Sequence, residues 1–138
     1  MDFRRQCVAE KETSPEKHPR EILARSFSYA LRAIKLYQYL QHRKDGAGWI
    51  LGKQYLRAAA SIGANIEEAQ AGESRSDFIH KLGIAQKEAR ECRYWLHLLA
   101  ESEIVGKQKL QPLRRETEDL LGIITAIIVN TKSHEHDR

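Results

Sequence analysis

From Phe78 to Leu99 the apolar residues fall at alternating steps of four and three without a slip: Phe78, Leu82, Ala85, Ala89, Cys92, Leu96 and Leu99. An α-helix turns once in about 3.6 residues, so this spacing draws one unbroken stripe along a helix face. A half-buried strand would instead alternate apolar and polar residues, and no segment of the chain does so. A stripe of this length has to be covered by other elements, and the remaining sequence supplies three more of the same kind.

The first predicted helix starts near Pro19, a residue suited to a first turn, with Glu21 beside the positive end of the helix dipole. Its predicted core stripe is Leu23, Phe27, Ala30, Ile34 and Tyr37, and it ends near Lys44 at the breaker 45-DGAG-48. The second carries Leu51, Tyr55, Ala58, Ile62, Ile66 and Ala69 and stops at Gly72. Ser74 or Ser76 can cap the third. The fourth follows 102-SEIVG-106, with Leu113, Leu120, Ile124 and Ile127 on its stripe, Thr117 between them and Pro112 expected in its first turn. Four long helices joined by short connections predict an all-α fold, an antiparallel up-down-up-down four-helix bundle over residues 19–131. Flexible tails are expected at 1–18 and 132–138.

Small residues crowd the second helix at 60-ASIGANIEEAQ-70, which follows 56-LRAA-59. A phosphate-binding loop would place glycines after a strand with Lys-Ser or Lys-Thr following, whereas Gly63 lies inside an uninterrupted helical pattern. A mid-helix glycine costs roughly 1 kcal/mol relative to alanine. Close packing can offset that cost, so Gly63, with alanines 58, 59, 60 and 64, marks a thin helix that a neighbour approaches. The expected bulk opposite is Phe78, Tyr94 and Trp95. Ser61, Asn65 and Glu68 flank the seam as a polar set that fixes register. Across the tight turn between the second and third helices, Arg57 should fall near Glu88 or Glu91.

Several chemistries are disfavoured. The two cysteines, Cys7 and Cys92, stand far apart with no Cys-x-x-Cys, so neither zinc nor any other metal is expected. A di-iron bundle needs two Glu-x-x-His motifs, and this chain offers only Asp77-x-x-His80. No nucleophile motif or acid–base pair emerges, no cofactor is implied, and the expectation is a non-enzyme. No apolar run long enough to span a membrane and no secretory leader is apparent, so a cytoplasmic location is expected.

Charge is the remaining signal. The formal net charge is +4. Residues 22–66 carry Arg25, Arg32, Lys35, Arg43, Lys44, Lys53 and Arg57 against the single acid Asp45, whereas residues 67–138 carry more acids than bases. These seven cations are the candidate nucleic-acid-binding set. They would contact phosphates, which position a nucleic acid without reading its sequence. A third basic strip, Arg90, Arg93 and His97 beside Tyr94 and Trp95, lies on the third helix, diluted by Glu88 and Glu91. The alternative is a protein-interaction or assembly module anchored by leftover apolar residues such as Leu36, Tyr39, Leu40 or Trp49.

The segments 61-SIGANIEEAQ-70 and 77-DFIHKLGIAQKEARECRYWLHLL-99 resemble the four-helix-bundle proteins encoded within intervening sequences of bacterial 23S rRNA genes. The residues that carry the likeness are Ser61, Gly63, Ala64, Asn65, Glu68, Ser74, Asp77 and Phe78, and it extends over about residues 20–130. Many members have a Gly-x-Gly-Arg turn after the second helix; here the turn reads 69-AQAGES-74. The resemblance implies a four-helix bundle and a ring-shaped homopentamer. A related branch, the accessory variability determinants of diversity-generating retroelements, implies nucleic acid and a partner enzyme, a reverse transcriptase, as further partners.

Overall fold

The structure, a computed structural model, describes residues 18–136. It consists of four helices: α1 (His18–His42), α2 (Gly46–Gln70), α3 (Arg75–Glu101) and α4 (Lys107–His136). No strand occurs among the described residues. Helix α2 packs against both α1 and α3, α3 packs against α4, and α4 meets α1 more lightly. Residues 132–136, expected in a tail, continue α4. The expected N-terminal tail lies outside the described residues, His18 excepted.

The connections explain the helix ends. Lys44 takes a left-handed backbone (φ 54°), which turns the chain at once. Asp45 then caps α2, its carboxylate accepting from Gly48 N at 3.0 Å. The segment 45-DGAG-48 therefore opens a helix rather than breaking one. Two glycines in the first turns of α2 also admit close neighbours. A Cβ on Gly52 would lie 2.9 Å from the Leu40 side chain, and one on Gly48 would lie 3.0 Å from that of Ile104. Ser74 caps α3 by accepting from Asp77 N at 3.1 Å. Glu103 (φ 62°) ends the α3 connection, and Val105 folds back with its N 3.3 Å from Leu99 O and its side chain buried. Pro112 is the sixth residue of α4, one turn deeper than expected. Its missing N–H leaves a gap opposite Gln108, and both residues are exposed, so water can satisfy the freed carbonyl.

The stripes predicted for α2, α3 and α4 are the ones that pack inward: Tyr55, Ala58, Ile62, Ile66, Leu82, Ala85, Cys92, Leu96, Leu120 and Ile124 are all at most 1% exposed. On α1 the outcome differs. The buried stripe is Ile22, Ser26, Tyr29, Ala33, Leu36 and Leu40. The predicted stripe has the same spacing but is one residue out of phase, and it is only partly covered, with Leu23, Ala30 and Tyr37 half-buried and Phe27 64% and Ile34 39% exposed. Two of the proposed surface anchors, Leu36 and Leu40, belong to the core instead.

Tyr29 shows why the less apolar stripe of α1 is the buried one. Its ring meets Tyr55 edge-on at 6.2 Å. Its hydroxyl lies 2.6 Å from Thr117 Oγ1. Thr117 spends its own proton on Leu113 O at 2.7 Å, so Tyr29 is the donor in that pair. One buried side chain thus ties α1 to α2 and α4.

Gly63 is thin for a different neighbour than expected. A Cβ there would stand 3.5 Å from Ser26 Oγ and 3.6 Å from Ser26 O on α1, not against aromatics of α3. These are ordinary contact distances. Gly63→Ala should therefore raise stability in urea denaturation by up to about 1 kcal/mol through helix propensity. Gly63→Leu has no room beside the Ser26 backbone and should destabilise. Asn65 donates to Ser61 O and Oγ at 2.8 and 3.1 Å, a local bond within α2, and Glu68 is exposed.

Candidate nucleic-acid interface and assembly face

The seven predicted cations divide into two groups. Arg25 forks onto Glu116 of α4, with Nε and Nη2 each 3.0 Å from a carboxylate oxygen, and lies 3.5 Å from Asp119. Arg57 Nη2 is 2.6 Å from Glu91 Oε1 and 3.5 Å from Glu88 Oε2, the contact expected from the α2–α3 register. The hydrogen bond that Arg57 donates to Glu91, then the charge of Glu88, hold this guanidinium above its ordinary value. Glu88 is buried, and its Oε2 has no hydrogen-bond partner, so the 3.5 Å approach is a charge contact only. Arg43 donates to Ile104 O at 2.6 Å and to Tyr39 Oη at 3.1 Å, pinning the α3–α4 connection to the end of α1. Lys109 Nζ sits 3.5 Å above the same Tyr39 ring.

The other four have more freedom. Arg32, Lys35, Lys44 and Lys53 make no ion pair among the described residues. Lys53 rests its ammonium 3.6 Å above the exposed Trp49 ring, and Lys44 stands at the α1–α2 turn. The structure thus engages Arg25, Arg43 and Arg57 in holding helices together and leaves four cations for other uses. Sequence spacing does not reveal this division, except at Arg57.

The face that sequence reasoning missed is the outer side of α1. Phe27, Leu31 (50% exposed) and Ile34 follow at steps of four and three, with Leu23 half-buried one turn earlier. On α2, Gly52 and Gly63 lie against α1, and half-buried Leu56 and exposed Ala60 fall between them at helical spacing. Trp49 and Ile50 are exposed at the start of α2.

On the far side, α3 and α4 enclose a cleft of about 520 Å³ lined by arginines and Tyr94. Cys92 is buried, and burial pushes its thiol up to about 12, so it is not a nucleophile at neutral pH. No group of three or more metal-ligating residues occurs among the described residues. No described helix is long and apolar enough to cross a membrane.

The family model for 23S rRNA-intervening sequence proteins matches residues 20–126. The chain belongs to this family. A solved structure of a protein of unknown function from the S23 ribosomal protein family of Bacteroides thetaiotaomicron is similar, at 34% identity and a TM-score of 0.74. The match covers 80% of this chain and 97% of that one. A comparison with curated proteins gives no match. The family region therefore runs from the first turn of α1 into α4 and takes in α2 and α3 whole.

Proposed function

We propose that this family member is a non-enzymatic, antiparallel up-down-up-down bundle that assembles with copies of itself and binds RNA or another nucleic acid. The antiparallel arrangement is supported by contacts whose numbers run in opposite directions. Gln86 meets Thr125, Arg93 meets Glu118 and His97 meets Arg114. Likewise Gly63 faces Ser26 while Gly52 faces Leu40.

The observation that carries the proposal is the burial choice on α1. The helix buries a stripe containing Ser26, Tyr29 and Ala33, and exposes one containing Phe27, Leu31 and Ile34. Large apolar side chains aligned on a surface mark an association face. A helix of 25 residues is about 37 Å long, enough to support a standard interface of about 800 Å² per partner. A second copy of the chain fits this apolar stripe, in keeping with the homopentamer that the family resemblance implies. Assembly would also multiply the four cations that make no ion pair among the described residues, Arg32, Lys35, Lys44 and Lys53, around one particle and raise its attraction for phosphates. A cytoplasmic location suits such a partner.

Filter binding to structured rRNA fragments across a salt series tests the nucleic-acid part. Affinity should fall linearly on a log–log plot, with a slope of about 0.7–0.9 per phosphate contacted. Absence of binding at low salt, or binding indifferent to salt, would leave the assembly module alone. That narrower reading already has one point in its favour: three of the seven cations are engaged within the fold.

A further inference from the structure

We infer that the α3–α4 cleft is a binding site for a phosphorylated nucleoside unit, its phosphate held by Arg90, Arg93 and Arg114 and its base stacked on Tyr94. The inference rests on the nucleic-acid reading and moves the contact site away from the α1–α2 hairpin.

Arg90, Arg93, Tyr94 and His97 follow at i, i+3, i+4 and i+7, so they share one outward face of α3. Helix α4 places Arg114 opposite, with Nη2 3.3 Å from His97 Nδ1. An arginine can only donate, so His97 accepts through Nδ1 and carries its ring proton on Nε2. The cleft volume, about 520 Å³, falls within the range of about 300–1,000 Å³ typical of ligand sites.

The charge within it is unbalanced. Three guanidinium groups face one carboxylate, Glu118, which is 3.6 Å from Arg93 with both side chains about half exposed. Such an exposed pair contributes little and yields readily to a better acceptor. Neither Arg90 nor Arg114 pairs with a carboxylate among the described residues. Planar guanidinium forks match the oxygens of a phosphate, and several converging on one point match it better than they match one another.

Tyr94 supplies the second recognition element. It is 56% exposed yet anchored edge-on against Trp95 at 5.2 Å. A fixed, accessible aromatic ring beside a cationic groove is the arrangement on which unpaired bases stack. The unit could be part of a single strand or a free nucleotide, since both present the same phosphate and base.

Fluorescence anisotropy with a labelled single-stranded RNA decamer tests the cleft. The variant Arg90→Ala/Arg93→Ala/Arg114→Ala should weaken binding at least about 30-fold and lower the log–log salt slope by about 2, for three lost phosphate contacts. Tyr94→Ala should weaken it about ten-fold with the slope unchanged, and Tyr94→Trp should restore it. Circular dichroism should show all of these folded, because the substituted side chains are at least partly exposed. If these variants bind like the wild type while Lys35→Ala/Lys44→Ala/Lys53→Ala does not, the cleft inference is overturned and the nucleic-acid reading stands. If the wild type itself does not bind the decamer at about 50 mM salt, the nucleic-acid reading fails. Adenosine 5′-monophosphate, read through Trp95 in a Trp49→Phe background, then decides the cleft. Saturable quenching that is lost in the triple arginine variant supports a free-nucleotide site; no response overturns the inference.

Discussion

The wild-type protein should sediment as a larger particle, and Phe27→Glu/Ile34→Glu should leave a folded monomer. Both side chains lie on the outer face of α1 and take no part in the buried core, so helix content and melting behaviour of the isolated subunit should change little. Within an association face, each large apolar side chain contributes about 1.5–3 kcal/mol on burial. Losing two from each subunit therefore costs at least about 3 kcal/mol per interface, a hundred-fold or more in dissociation constant. Placing carboxylates in the apolar contact adds a desolvation cost. Light scattering or sedimentation velocity at micromolar concentration gives the mass directly. Phe27→Leu/Ile34→Leu serves as the control, because it keeps the face apolar and should keep the assembly. A wild-type monomer, or a glutamate variant of unchanged mass, would remove α1 as the association face.

This expectation grows from the place where the sequence was read out of phase. Periodicity reports that a helix has an apolar stripe, and α3, with only one, leaves no choice. Helix α1 has two stripes of identical spacing, one residue apart. Choosing the more apolar one follows from spacing and hydrophobicity alone, and the structure buries the other. What selects the inner stripe is tertiary: the Tyr29–Thr117 bond, and the approach of Gly63 to Ser26. No spacing rule within α1 contains those partners. The small-residue segment shows the same division. That α2 is thin was legible from Gly63 and its alanines; that the neighbour is α1 rather than α3 was not.

The cations follow a similar logic. Arg57 could be assigned to Glu88 and Glu91 because a short turn fixes the register of α2 on α3. Arg25 lies far in sequence from Glu116, and only the α1–α4 contact brings them together. A list of basic residues in the first half of the chain therefore mixed braces with unengaged charges. The cleft arginines were visible as a strip on α3, but Arg114, which closes the cleft, belongs to a different helix.

Raising the pH above about 9 should destabilise the protein steeply, through acids buried in its core. Cys92 is fully buried, and burial, reinforced by the charges of Glu88 and Glu91, lifts its thiol from 9.0 to about 12. Tyr29 and Tyr55 are also raised, chiefly by burial. The sign follows from linkage. The unfolded chain releases these protons at their ordinary, lower values, whereas the folded chain retains them. The stabilisation is thus intact below the unfolded value and is lost as pH climbs toward the folded one. For Cys92 the window runs from about 9 to about 12, and three pH units at 1.36 kcal/mol each amount to about 4 kcal/mol. The two tyrosines add to the loss above about 10. A domain of this size is stable by about 5–15 kcal/mol, so the thiol alone is a large share. Urea denaturation at pH 8, 9, 10 and 11 measures the fall. In Cys92→Ala the component beginning near 9 should vanish, leaving the tyrosine component with its later onset. A wild-type stability that stays level from pH 8 to 11 would mean that the core admits water or ionises without unfolding, and that its packing around Cys92 is looser than the burial of that side chain implies.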